Sequence, residues 1–167
     1  AFTRPVELPG GAKDAAFRTV AVRSGIFPGG RVYFCEHNTP ELVWRPEWQS
    51  HGNGAQAMPE FVIASTKHAE EAEGFAKLLH SEVAGTGDSL AVAFNGGQLT
   101  IMTPAAYGAR YGAAASAMAG RDSIFGALVV RADSLDKIRG ITTPAIDEAD
   151  RVVVREATFD SVLEFVS

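Results

Sequence analysis

The chain has 167 residues, 46% of them hydrophobic and 21% charged, enough to bury a core as one domain or as two small packed modules. Its net charge of -5 and pI near 5.3 argue against a nucleic-acid or anionic-membrane partner, which would need a cationic face. No apolar run approaches the ~20 residues of a membrane span, no secretory leader is visible, and one cysteine permits no internal disulfide, so a cytoplasmic location is expected.

The first 48 residues carry no amphipathic helical pattern. Phe2 to Val6 reads as mid-strand, which predicts a chain taken from a longer polypeptide. Ala16 to Arg23 alternates in part as a half-buried strand should, between the turn signals Pro9-Gly10-Gly11 and Pro28-Gly29-Gly30. Arg31 to Glu36 is a second strand, rich in β-branched and aromatic residues. Pro40 and Pro46 then stop regular pairing, which predicts an irregular loop from Asn38 to Gly54.

A strand is predicted over Glu60 to Ala64, with Ser65 or Thr66 capping the helix that follows. Ala69, Ala72, Phe75, Ala76 and Leu79 form the apolar stripe of that helix, which Ala84-Gly85-Thr86-Gly87 ends. Asn95-Gly96 between apolar runs predicts a hairpin of Asp88 to Phe94 with Gln98 to Met102. Residues 104 to 122 are an Ala/Gly-rich connector containing Tyr107 and Tyr111.

The plan then repeats. Phe125 to Arg131 is a strand, Asp133 or Ser134 caps a short helix to Arg139 with Gly140 as its C-cap, and Arg151 to Arg155 with Ser161 to Val166 make a strand pair. Phe61 to Ser65 parallels Leu128 to Ala132, and Asp88 to Val92 parallels Asp150 to Val154. The fold class is therefore α+β, with repeated βαββ(β) units, mixed sheets carrying helices on one face, and a cleft between sheets. The expected division is 1–48, 49–122 and 123–167, with 49–167 forming one paired-module domain.

The run Phe34-Cys35-Glu36-His37-Asn38-Thr39-Pro40-Glu41-Leu42-Val43-Trp44, followed by Pro46-Glu47-Trp48-Gln49-Ser50-His51-Gly52-Asn53-Gly54-Ala55, resembles a signature of glyoxalase-like domain proteins of the vicinal oxygen chelate superfamily. The resemblance implies that residues 1–48 are the last strands of a preceding module whose N-terminal part is missing. It implies metal-dependent lyase, isomerase or dioxygenase-type chemistry on a small organic substrate. A divalent Zn, Fe, Mn or Ni ion would be held by His37, His51 and Glu164, with Glu41 and Glu164 as catalytic carboxylates. Trp44, Trp48, Phe34 and Tyr107 would wall the ligand.

Plainer roles stand beside these. His37 serves equally as a hydrogen-bonded anchor at a strand end, His51 as a turn residue beside Gly52-Asn53-Gly54, and Glu41 as a partner for Arg45 or loop amides. Trp44 and Trp48 can cover a module joint. The position matching Glu164 in the other repeat falls near Ile101, and Cys35 reads as a small buried hydrophobe. The alternatives to an enzyme are a metal-free protein that binds or sequesters a small molecule, and a non-catalytic half. The incomplete sheet predicts a homodimer or association with the missing segment.

Overall fold

The computed structural model describes residues 1–167. The chain divides into two compact units, one of Ala1–Ile26 with Arg31–His51 and one of Phe27–Gly30 with Gly52–Ser167.

The first unit is an antiparallel meander of β1 (Phe2–Val6), β2 (Lys13–Ala21) and β3 (Tyr33–His37), in that spatial order. One face carries a small aromatic patch, in which Phe17 stacks on Phe2 and meets the edge of His37. Within its strands only Ala15 is fully buried. Cys35 is exposed rather than buried as its apolar neighbours suggested. The Pro-rich loop contains two short 3-10 turns, Pro40–Leu42 and Pro46–Trp48. Each opens on its proline, whose missing amide costs nothing at a first helical position.

The second unit is one eight-stranded mixed sheet. Its elements are β4 (Ala55–Ser65), α1 (His68–Leu79), β5 (Val83–Thr86), β6 (Ser89–Phe94), β7 (Gly97–Met102), α2 (Pro104–Tyr111), β8 (Ser123–Ala132), α3 (Leu135–Ile141), β9 (Ile146–Asp147), β10 (Arg151–Glu156) and β11 (Ser161–Val166). The spatial order is β5-β6-β7-β4-β8-β11-β10-β9. β7 runs parallel to β4, β11 runs parallel to β8, and the two leading strands meet antiparallel at the centre. Each half is thus a strand, a helix and a three-stranded meander, the α+β paired-module architecture expected. Phe61 pairs with Leu128, the alignment read from the repeat, and the flanking pairs Glu60–Val129 and Val62–Ala127 are symmetric about it.

Several boundaries differ from expectation for physical reasons. β4 begins at Ala55 rather than Glu60 because register shifts near Met58 and Pro59 let the strand run past a proline. Neither predicted cap side chain closes α1: its N-cap is Lys67, and Ser65 Oγ instead accepts the Lys67 amide at 3.1 Å. Ala69 is exposed, and Glu71 is buried in its stead, with Oε1 accepting from Ser123 Oγ at 3.1 Å. α3 runs through Gly140 to Ile141, and Thr142 ends it by donating its hydroxyl to the Ile138 carbonyl at 2.8 Å. Gly54 holds a φ of +78°, and an added Cβ would lie 2.1 Å from Asp133 Oδ1, so any other residue is strained there and must displace the Asp133 side chain.

The core lies on both faces of this sheet. Phe75, Ala72 and Ala76 of α1 cover the β6–β7 side, while Leu135 and Ile138 of α3 pack with Val130, Val152 and Phe165. The opposite face, through Val62, Ala64, Met102, Val129 and Val162, is covered by Tyr107 and Tyr111 of α2.

Candidate functional site

The Ala/Gly-rich connector, whose composition decides no fixed structure, forms the element that organises the site. Pro104 occupies the first turn of α2, and the Thr103 side chain caps it by accepting the Ala106 amide at 3.2 Å. Tyr107, Arg110 and Tyr111 stand at spacings of three and four residues, so they share one helix face. That face is turned onto the sheet. Tyr107 and Tyr111 are buried with ring centroids 5.0 Å apart. The Tyr107 hydroxyl donates to the Gly126 carbonyl at 2.9 Å and accepts the Ser116 amide at 3.1 Å. Tyr107→Phe is expected to cost about 1–3 kcal/mol, because a buried amide and a buried carbonyl both lose a partner. Chemical denaturation at neutral pH measures it.

Two carboxylates face this helix from the sheet. Glu60 of β4 lies opposite Val129 of β8, and Glu164 of β11 lies beside the same Val129. Cross-strand neighbours share a face, so both carboxylates emerge on the side covered by α2. Arg110 joins them. Its Nη1 donates to Glu60 Oε1 at 2.8 Å and its Nη2 to Glu60 Oε2 at 3.2 Å. The same Nη2 reaches Glu164 Oε2 at 2.8 Å, and Nε reaches that oxygen at 3.1 Å. Tyr111 adds a hydroxyl at 2.7 Å to Glu164 Oε2, and Arg151 Nη1 lies 3.6 Å from the other oxygen. Arg151 is itself paired with Glu148 at 2.7 Å.

The electrostatics follow from burial and partners. Burial alone would raise the Glu60 carboxyl, but the Arg110 hydrogen bonds, aided by Thr100 and Gln98, outweigh it and hold the group below its usual range. Burial pushes the Tyr111 phenol well up, the hydrogen bond to Glu164 adds to this, and the Arg110 charge opposes it. For Arg110, burial favours deprotonation, yet its carboxylate partners more than offset this and fix the charged form. Glu164, with a side chain 5% exposed and three donors on one oxygen, is an acceptor already in use. Abstracting a substrate proton would require breaking that arrangement.

The positions expected to form a site distribute as follows. Glu164 is buried in the cluster, and its counterpart in the other repeat is Thr100 rather than Ile101: Glu164 pairs with Val129, Val129 corresponds to Val62, and Val62 pairs with Thr100. Tyr107 lies in the core beside it. His37, Glu41, Trp44, Trp48, Phe34 and His51 all belong to the other unit. There His37 stacks on Trp44 with ring centroids 5.6 Å apart, and its Nδ1 is buried without a hydrogen-bond partner. Trp44 is 63% exposed, Phe34 is exposed, and Arg45 lies over the exposed Trp48 ring at 5.3 Å. Glu41 and His51 are exposed.

Glu60, Arg110, Tyr111 and Arg151 were not singled out in the sequence. The available signal was the Tyr107-x-x-Arg110-Tyr111 spacing, which on a helix puts a cation between two aromatics.

The donor set does not match the divalent ion that the glyoxalase resemblance implies. No three His, Cys, Asp or Glu side chains gather at one point. The two carboxylates that do face each other hold a guanidinium, and the rings beside His37 are those of Phe17 and Trp44. Transition-metal sites of this type need at least three nitrogen, oxygen or sulfur ligands from the protein.

No protein-family model matches the sequence, and no curated protein matches it. Among solved structures the chain is similar to a hypothetical protein from Staphylococcus aureus, with a TM-score of 0.60 at 5% identity, over 98% of this chain and 53% of that one. It thus spans about half the length of that protein, and the likeness is one of fold. It is also similar to methylmalonyl-CoA epimerase from Mycobacterium tuberculosis (TM-score 0.49, 14% identity, 70% of this chain, 91% of that one). A selenomethionine methylmalonyl-CoA epimerase gives a TM-score of 0.43 at 11% identity, covering 67% of this chain and 94% of that one. No helix is long and apolar enough to cross a membrane.

Proposed function

We propose that this chain is a metal-free, non-catalytic half of glyoxalase-like architecture, whose role is assembly and whose strand unit associates with a second copy of the chain. One observation carries the reading. Seven of the eleven exposed large apolar side chains, among them Val20, Tyr33, Phe34, Trp44 and Trp48, fall in the smaller strand unit. A three-stranded sheet with so little covered surface is marginal alone, and a concentration of exposed aromatics marks an association surface. Support also comes from the staphylococcal protein, which presents a comparable fold within a chain about twice as long. A pair of copies would have a similar size.

Sedimentation equilibrium at micromolar concentration tests this. A dimeric mass is expected, and Phe34→Lys, which places a charge on the exposed strand, is expected to give a monomer. A monomeric wild type at tens of micromolar would contradict the association.

Metal-dependent lyase, isomerase or dioxygenase-type chemistry is the second reading, with one observation in its favour: the unpartnered Nδ1 of His37 beside an exposed tryptophan. The aromatic surface of Trp44 and Trp48 would also suit a metal-free small-molecule binder. Elemental analysis separates these. The assembly reading expects no stoichiometric Zn, Fe, Mn or Ni in the purified chain. Stoichiometric metal that disappears in His37→Ala would establish the chelate reading in its place.

A further inference from the structure

We propose that the second copy docks on the free edge of β3, strand against strand, with Cys35 opposite the partner's Cys35 on a two-fold axis. The inference rests on the assembly reading and names its interface. The larger unit shows what this edge lacks. In each of its halves the last strand of the meander is covered by the leading strand, β7 by β4 and β11 by β8. β3 is the last strand of the smaller meander, and its outer side meets no other strand. The Val22 amide donates to the Val32 carbonyl and the Asn38 amide to the Ala16 carbonyl, both at 2.9 Å, so the even-numbered residues of β3 bond to β2. By alternation Tyr33, Cys35 and His37 turn their N–H and C=O groups outward. The opposite edge of this sheet is blunted by Pro5 in β1. β3 carries no proline or lysine, and its register with β2 is unbroken.

A two-fold axis makes the paired strands antiparallel. Overlap along the whole of β3, Tyr33–His37, then fixes the register. Tyr33 lies opposite the partner's His37 and Phe34 opposite the partner's Glu36, and every outward N–H meets an outward C=O. The side chains agree with this pairing. Phe2, Phe17 and His37 already form a cross-strand aromatic row, and the partner's Tyr33 extends it. Tyr33 is 58% exposed in the single chain. On the other face Val20 and Phe34 are an exposed apolar pair, and they gain the stem of the partner's Glu36. The charge of Glu36 is held by Arg18 of its own chain at 2.6 Å, so it does not oppose the contact.

The single cysteine reports the register. In a hydrogen-bonded antiparallel pair the facing Cα atoms lie about 5.5 Å apart, within disulfide range. The test oxidises the full chain with copper phenanthroline at micromolar concentration, resolves it on a denaturing gel without reductant, and measures its native mass alongside. The control is Tyr33→Cys in a Cys35→Ser background, whose two thiols would sit about 14 Å apart along the paired strands. A dimeric mass is expected, with cross-linking through Cys35 on the order of ten-fold faster than in the control, because pairing holds the facing thiols at a high effective concentration. Hydrogen exchange needs no variant: the amides of Tyr33, Cys35 and His37 should slow as the chain is concentrated from nanomolar to micromolar. A dimeric mass with equal cross-linking rates, or with those amides unchanged, would overturn this interface and leave the assembly reading standing. A monomeric mass, with the β3 edge free or filled by some other strand, would overturn both.

Discussion

Replacing Arg110 by methionine is expected to destabilise the chain by about 3–5 kcal/mol, because it leaves Glu60 under a helix without its cation and Glu164 with only Arg151, 3.6 Å from its other oxygen. For a domain of this size that corresponds to a fall of roughly 10 °C in the unfolding midpoint. The loss has a pH signature. Glu60 in the folded chain sits below its ordinary value of 4.5, since the Arg110 hydrogen bonds overcome the opposing effect of burial. A depressed carboxylate contributes stability that is complete above its unfolded value and disappears as pH falls through its folded one. The gap between wild type and Arg110→Met should therefore be constant near neutrality and shrink below about pH 4.5. Urea denaturation at a series of pH values measures both. A gap that widened on acidification would mean that the carboxylates are not held by Arg110.

At alkaline pH the sign reverses. Tyr111 is raised, mainly by burial and by its hydrogen bond to Glu164. Its neutral form contributes stability that is complete below the unfolded tyrosine value and is lost as pH rises above it. Tyr111→Phe should flatten the stability profile above about pH 10 relative to wild type.

Gly126→Val is expected to cost about 3–4 kcal/mol, by a different route. A Cβ at this position would come within 2.6 Å of the Tyr107 ring, which is buried and wedged between α2 and β8. The ring must move, and its hydroxyl then leaves both the Gly126 carbonyl and the Ser116 amide. The companion variant Gly126→Val/Tyr107→Ala should lose less than the sum of the two single changes, because the smaller side chain makes room for the larger. Additive losses would show that the ring is not the obstacle.

Much of the fold was legible because its determinants are local. Asn95 and Gly96 sit between two apolar runs and give the β6–β7 hairpin in the expected place. Two of the three helices, α1 and α3, are legible in the sequence, α1 from a stripe that includes Ala72, Phe75 and Ala76, and the Phe61–Leu128 repeat alignment survives in the register of the central strands. Boundaries slipped where tertiary structure overrode a local rule. Pro59 did not stop β4, because a register shift accommodated it. Gly140 did not end α3, because Thr142 supplied the carbonyl partner instead.

The ion-pair cluster was harder to see. Glu60 and Arg110 are separated by 50 residues and Arg110 and Glu164 by 54, so nothing local links them. Glu164 is legible only through the glyoxalase resemblance and through a repeat counterpart that lacks a carboxylate. The connector carrying Arg110 is Ala/Gly-rich, and composition alone did not decide that it forms a helix. The glyoxalase resemblance makes Tyr107 a wall for a ligand, whereas the ring fills the core beside the cluster.

The measurement that most directly tests a closed, cation-occupied sheet face is the exchange of the Arg110 Nε proton, observed by ¹⁵N nuclear magnetic resonance on the full chain near neutral pH. With Nε donating to Glu164 Oε2 at 3.1 Å, a resolved signal protected from solvent is predicted, and it should vanish in Glu164→Gln while other arginine signals persist. An Arg110 Nε proton exchanging as fast as that of an exposed arginine would contradict the account, because the guanidinium would not be seated between the two carboxylates.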